Sequence, residues 1–170
     1  FINEVICQAT AIKRLHPEVR TLIEMGGQDS KLILLPEGAG NGTPMADFTM
    51  NTNCAAGTGS FLDQQAQVLG LGHPASLADA ALAAKGTPPK IASRCAVFAK
   101  TDLIHAQQAG FGREAICDGL CQGLAGIAAD RLLAGEPLVP PVVFAGGVAK
   151  NAAVRHHLEA ACGLSFIIDE

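Results

Sequence analysis

Apolar residues recur along this chain with two different periods. Ile2, Val5, Ile6, Ala9, Ile12 and Leu15 lie three or four apart, the spacing of one helix face, and His16-Pro17 ends the run. Val19 to Met25 then reads as a strand, Gly26-Gly27 as a tight turn and Lys31 to Leu35 as a second strand. Pro36 to Thr43, rich in Gly, Asn and Pro, makes a hairpin-type connection to a third strand over Ala46 to Thr52. The helical period then returns. Ser60 to Leu69 carries one stripe through Phe61, Leu62, Gln65, Ala66 and Leu69. Ser76 to Lys85 is Ala-rich, with Ser76 and Asp79 in capping-box positions, and Gly86 to Pro89 is a loop. Phe98 to Ala109 and Arg113 to Ala134 are further helices. Pro140-Pro141 breaks the chain before a short buried strand, Val142 to Ala145. Gly146-Gly147 turns into a helix from Val148 to Ala161, and Ser165 to Ile168 closes as a strand.

Composition sharpens this outline. At 170 residues, nearly half of them hydrophobic, the chain suits one domain with a sizeable core. There are seven Phe and no Trp or Tyr, so Ala, Gly, Leu and Val dominate the packing. A net charge of −4 gives no case for nucleic acid or an anionic membrane surface. No apolar run reaches the roughly 18 residues of a membrane-spanning helix, and no secretory signal opens the chain. Six Cys at irregular spacing do not form a secreted disulfide framework. They fit a cytoplasmic chain with reduced or metal-bound thiols. The chain opens inside a helical pattern without an initiator Met and reads as a piece of something longer.

Two strand–glycine units carry candidate chemistry. In Glu24-Met25-Gly26-Gly27-Gln28-Asp29-Ser30-Lys31 a glycine pair stands between two strands, where backbone N–H groups can approach a phosphate with no Cβ in the way. There Asp29 can hold Mg²⁺ and Lys31 can face phosphate oxygens; an ordinary hairpin turn with surface charges explains the same spacing. Val142 to Asn151 repeats the arrangement as strand, glycine pair and helix. It resembles the adenosine-contacting segment of the actin, sugar kinase and Hsp70 superfamily, with Gly146 and Gly147 against a base and ribose, and Lys150 and Asn151 beside them. A tight strand-to-helix turn is the alternative.

Cysteines supply the third signal. Cys54, in Asn53-Cys54-Ala55-Ala56-Gly57-Thr58-Gly59-Ser60-Phe61-Leu62, falls where a strand ends and a helix begins, a setting that lowers a thiol pKa. Cys95, in Cys95-Ala96-Val97-Phe98-Ala99, is similarly set. Two such residues are half of a four-thiolate centre. Cys117 and Cys121, four apart on a predicted helix, can share a metal but read better as buried thiols, as do Cys7 and Cys162. His156-His157 reads as a solvated pair and His105 as partly buried.

In order, these four blocks resemble the BadF/BadG/BcrA/BcrD ATPases, the activators of 2-hydroxyacyl-CoA dehydratases and the ATPase subunits of benzoyl-CoA reductases. The resemblance spans nearly the whole chain, and Cys-Ala-Ala-Gly-Thr-Gly is its most specific part. It implies an α/β fold: the second, C-terminal domain of the acetate and sugar kinase/Hsp70/actin ribonuclease H-like fold, a mixed sheet flanked by helices. It implies that residues 1–170 form a single ATPase-type domain, with the first phosphate-loop domain outside the chain and ATP bound weakly by this part alone. It implies a homodimer whose [4Fe–4S] cluster is bridged by Cys54 and Cys95 of each subunit. ATP and Mg²⁺ would be served by Gly26, Gly27, Gln28, Asp29 and Lys31, with Gln28 and Asp29 catalytic, and by Gly146, Gly147, Lys150 and Asn151. Electrons would pass from reduced ferredoxin or flavodoxin to a dehydratase or reductase.

The chain departs from the family at two places. Glu24 stands where the family carries Asp, and Lys100-Thr101-Asp102 follows the second cysteine block where short activators carry Glu-Ser. Two other function classes remain open. One is a nucleotide-binding or dimerisation module without electron transfer. The other is a sugar or acyl kinase half-domain, against which Cys54 argues.

Overall fold

A computed structural model describes residues 3–37, 45–51, 58–91, 96–133 and 138–169. Helix α1 (Glu4–Leu15) leads into β1 (Thr21–Met25), β2 (Ser30–Leu34) and β3 (Asp47–Asn51). Helices α2 (Gly59–Val68), α3 (Pro74–Leu82), α4 (Ala96–Gln108) and α5 (Arg113–Ala128) follow, the last ending in a π-helical turn, Ala129–Leu133. β4 (Val142–Ala145), a 3-10 turn (Gly147–Lys150), α6 (Ala152–Cys162) and β5 (Ile167–Ile168) complete the order.

The strands form one sheet in the order β3-β2-β1-β4-β5. β1 pairs with β2 and β2 with β3 antiparallel, whereas β1 with β4 and β4 with β5 run parallel. All five residues of β1 are buried, as a central strand covered on both faces requires. Side-chain alternation sends Leu22, Ile33 and Val143 to one face, where Val5, Ala9 and Ile12 of α1 pack on them. Ile23, Met25, Leu32 and Phe144 point to the other, against a larger core with Phe61, Leu77, Leu120 and Leu124. Each such apolar side chain contributes about 1.5–3 kcal/mol when fully buried.

Helix α5 is the hub of that second layer and packs on both α3 and α6. Gly119 permits its approach to the loop before α4: a Cβ there would stand 2.5 Å from the Pro89 carbonyl oxygen. Cys117 and Cys121 are buried in the same helix, matching the core reading of the sequence.

Several local expectations are corrected. α3 begins at Pro74 rather than Ser76, because His73 Nδ1 accepts the N–H of Ala75 and caps the helix ahead of the Ser76–Asp79 pair. The final helix begins at Ala152 rather than Val148, because the glycine turn winds first into a 3-10 turn and Asn151 then caps. Cys7 is exposed, not core, since α1 turns Val5, Ala9 and Ile12 inward instead. His105 is exposed on α4. His157 is not solvated: its Nε2 lies 2.6 Å from Asp118 Oδ1, and both side chains are largely buried between α6 and α5. Cys54 and Cys95 lie outside the described residues. No described helix is long and apolar enough to cross a membrane.

Candidate functional site

Parallel pairing of β1 with β4 sets Glu24 beside Ala145, so the two glycine turns that follow these strands leave the sheet at the same edge. Ligand crevices of open α/β sheets form at the carboxyl ends of such strands. The first turn is held from one side by α2. Gly59 N–H donates to the Gly26 carbonyl oxygen at 2.8 Å and Ser60 N–H to that of Gly27 at 2.9 Å. The Ser60 hydroxyl also donates to the Gly27 carbonyl. The positive end of α2 is thus anchored on the turn, which favours anions nearby.

The second turn needs glycine for two reasons. Gly146 has φ +90, and a Cβ there would stand 2.5 Å from the Met25 carbonyl oxygen. After it, the Asn151 side-chain oxygen accepts N–H groups from Ala153 at 3.1 Å and Val154 at 3.0 Å, and the thiol of Cys121 lies 3.9 Å from it. The amide nitrogen is that side chain's remaining donor.

Between the turns opens a cavity of about 420 Å³. That is within the roughly 300–1,000 Å³ usual for small-molecule sites. Gly26, Gly27 and Gly59 form its base, and Gly147, Val148, Lys150 and Asn151 one wall. The opposite wall comes from α2 and α3: Leu62, Ala78 and Leu82 are apolar, while Asp63, His73 and Asp79 supply polar groups. The sequence reading missed this second wall. Its residues carry no motif in the sequence, and only the fold shows that Leu82, near the end of an Ala-rich helix, is left exposed.

Most residues singled out from the sequence meet here. Gly26, Gly27, Gly147, Lys150 and Asn151 line one cavity, and Gly146 backs it against Met25. Gln28 is exposed at the tip of the first turn. Lys31 does not line the cavity. It lies opposite Glu24 across β1 and β2, on the face covered by α1, with its side chain fully buried. Its Nζ donates to Glu24 Oε2 at 2.8 Å, Asp29 Oδ1 at 2.9 Å and Glu4 Oε1 at 3.0 Å. Burial by itself would lower the Lys31 pKa, but the three carboxylate hydrogen bonds outweigh it and hold the ammonium well above the usual lysine value.

Buried thiols show the opposite chemistry. Burial pushes Cys117 up to about 11, with Glu114 adding to the shift, and drives Cys121 well above the ordinary thiol range. Both are neutral thiols at neutral pH. Among the described residues, no three His, Cys, Asp or Glu side chains are grouped to hold a metal ion.

Comparison with known proteins gives a consistent result. A family model described as the BadF/BadG/BcrA/BcrD ATPase family matches residues 1–163. The activator of lactoyl-CoA dehydratase from Anaerotignum propionicum is 41% identical over 155 residues, which cover 90% of this chain and 56% of the activator. The crystal structure of (R)-2-hydroxyglutaryl-CoA dehydratase component A from Acidaminococcus fermentans superposes with a TM-score of 0.87 at 34% identity, covering 99% of this chain and 62% of that one. The activator of 2-hydroxyisocaproyl-CoA dehydratase from Clostridium difficile, solved with bound ADPNP, gives a TM-score of 0.88 at 30% identity, covering 99% of this chain and 60% of that one. This chain therefore spans about three fifths of the relatives it matches, and it shares the actin/Hsp70-like fold of these activator ATPases.

Proposed function

Because the chain belongs to the BadF/BadG/BcrA/BcrD ATPase family, we propose that it is the nucleotide-responsive, cluster-bearing part of an activator that passes low-potential electrons to a 2-hydroxyacyl-CoA dehydratase or a benzoyl-CoA reductase-type partner. The observation that carries the reading is the convergence of two glycine turns, distant in sequence, on one cavity walled by an apolar helix face.

The cavity fits the two ends of a nucleotide. Gly27 serves phosphates through its backbone N–H beside the α2 N-terminus, while the Gly26 N–H donates to the Asp29 carbonyl oxygen at 3.0 Å and shapes the turn. Gly147 lets a base and ribose lie close to the chain, with Gly146 seating the turn against Met25 and the apolar side chains of Leu62, Ala78 and Leu82 opposite. Lys150 adds positive charge, and the Asn151 amide and the Asp63 and Asp79 carboxylates offer polar partners. Asp29 and Glu24 supply carboxylate oxygens toward Mg²⁺, and Gln28 at the turn tip orients water. Lys31 serves these carboxylates instead of phosphate, since all its ammonium hydrogens are used.

Cys54 and Cys95 are the proposed ligands of a [4Fe–4S] cluster shared with a second copy. A cluster so held supplies one-electron transfer. Cys95 immediately precedes α4, and Cys54 lies a few residues ahead of α2. α2 and α4 pack on each other, so nucleotide-driven movement of α2 would reach both ligand segments. The remaining parts of the reading are a homodimer, reduced ferredoxin or flavodoxin as donor and a cytoplasmic setting.

Calorimetry with MgADP and anaerobic reconstitution with iron and sulfide test the two halves separately. Saturable MgADP binding and about four iron atoms per two chains are expected, with iron abolished in Cys54→Ala and Cys95→Ala. Full iron loading of the double variant would refute the ligand assignment. Nucleotide binding without iron in the unsubstituted protein would leave a nucleotide-binding and dimerisation module.

A further inference from the structure

Lysine is among the residues least often fully buried, yet Lys31 has 0% of its side chain exposed and reaches three carboxylates from three different segments. Glu24 is its cross-strand partner on β1, Asp29 belongs to the turn, and Glu4 stands in the first turn of α1. Each carboxylate gives the ammonium one oxygen: Glu24 Oε2, Asp29 Oδ1 and Glu4 Oε1. Glu24 Oε1 lies between the two glycine turns, 3.1 Å from where a Gly26 Cβ would be and 2.8 Å from where a Gly146 Cβ would be. Asp29 Oδ1 is 3.4 Å from the same Gly26 position.

We propose that Lys31 is a positioning residue of the nucleotide site. Its ammonium ties Glu24 and Asp29 to the underside of the Gly26-Gly27 turn, with Glu4 of α1 as a third anchor. The charge balance explains why a cation is needed. Glu24 and Asp29 are both held close to Gly26, and without Lys31 two like charges face each other in a partly buried space, so they separate and carry the turn with them. Glu4, 65% exposed, is free to swing into water. Lys31 on β2 thereby ties β1, the turn and α1 together, so the backbone facing the cavity keeps one shape. The second half of the test below rests on the nucleotide reading; the first does not.

Hydrogen exchange read by mass spectrometry tests the positioning directly. In Lys31→Met, amides of residues 26–30 are expected to exchange at least tenfold faster, while those of α5 stay within threefold. Glu4→Ala is expected to speed the same turn by about two- to fivefold, and it serves alone if Lys31→Met does not fold. Unchanged exchange in the turn, or an equal rise throughout the protein, would overturn the proposal. For MgADP affinity by calorimetry, Lys31→Met added to the Glu24→Gln, Asp29→Asn pair is expected to bind within threefold of that pair alone, because Lys31 acts through those two carboxylates. Additive losses overturn the proposal as well. Absence of MgADP binding by the unsubstituted protein defeats the nucleotide reading, and the exchange result then decides the role of Lys31 by itself.

Discussion

The carboxylate of Glu24 is pressed against Gly146 across two parallel strands. A Cβ on Gly146 would come within 2.8 Å of Glu24 Oε1 and 2.5 Å of the Met25 carbonyl oxygen. Two glycine turns more than a hundred residues apart are thereby locked back to back, and the cavity exists because they are. Gly146→Ala must relieve both the contact and a φ of +90. A loss of about 3 kcal/mol is expected in urea unfolding, together with loss of MgADP binding. An alanine variant as stable as the parent would mean that the turn relaxes without cost.

Gly119 offers the contrasting case. Its place against the Pro89 carbonyl is purely a matter of packing, and it does not line the cavity. Gly119→Ala is expected to lower stability by about 1–3 kcal/mol through overpacking. MgADP affinity below the melting transition should change less than twofold. Thermal denaturation with and without ligand separates the two effects.

Asn151 combines a cap with a cavity wall. Asn151→Ala removes the acceptor for Ala153 and Val154 and is expected to cost about 1 kcal/mol of stability. Asn151→Asp keeps the acceptor and should restore most of it. MgADP affinity should fall in both, because neither substitute offers the amide donor, so stability and binding part company in the aspartate variant.

Alkaline pH should weaken the fold. The Cys117 pKa rises from 9.0 to about 11 on folding, so between those values the unfolded chain has lost a proton that the native chain retains. Stability therefore falls as pH rises through that window, by about 2 kcal/mol near pH 11 for this group alone. Cys121 and Cys162 shift the same way through burial. Lys31 acts in the same direction: its folded pKa lies above the ordinary 10.5, so its contribution is complete below that value and is lost at higher pH. Urea unfolding from pH 7 to 11 should be flat to about pH 8.5 and then decline, less steeply in Cys117→Ala.

Local pattern alone determined much of this protein. Period-3.6 and strand-like runs located the elements to within a few residues at most ends, because each must bury one face of its own. The two glycine pairs marked the turns, and the ordered motif blocks identified the family, since a turn that must pass close to backbone or ligand excludes every side chain. Tertiary structure decided what no local window contains. Parallel pairing of β1 with β4 turned two separate glycine signals into one cavity, and the packing of α2 and α3 supplied a wall with no motif of its own. The same is true of Lys31. In sequence it is a cation two residues after an aspartate, suited to phosphate; in the fold, the side-chain alternation of β2 turns it toward α1, where Glu4 closes the ring of carboxylates that consumes its charge. Whether a charge is spent or free depends on which residues surround it in space.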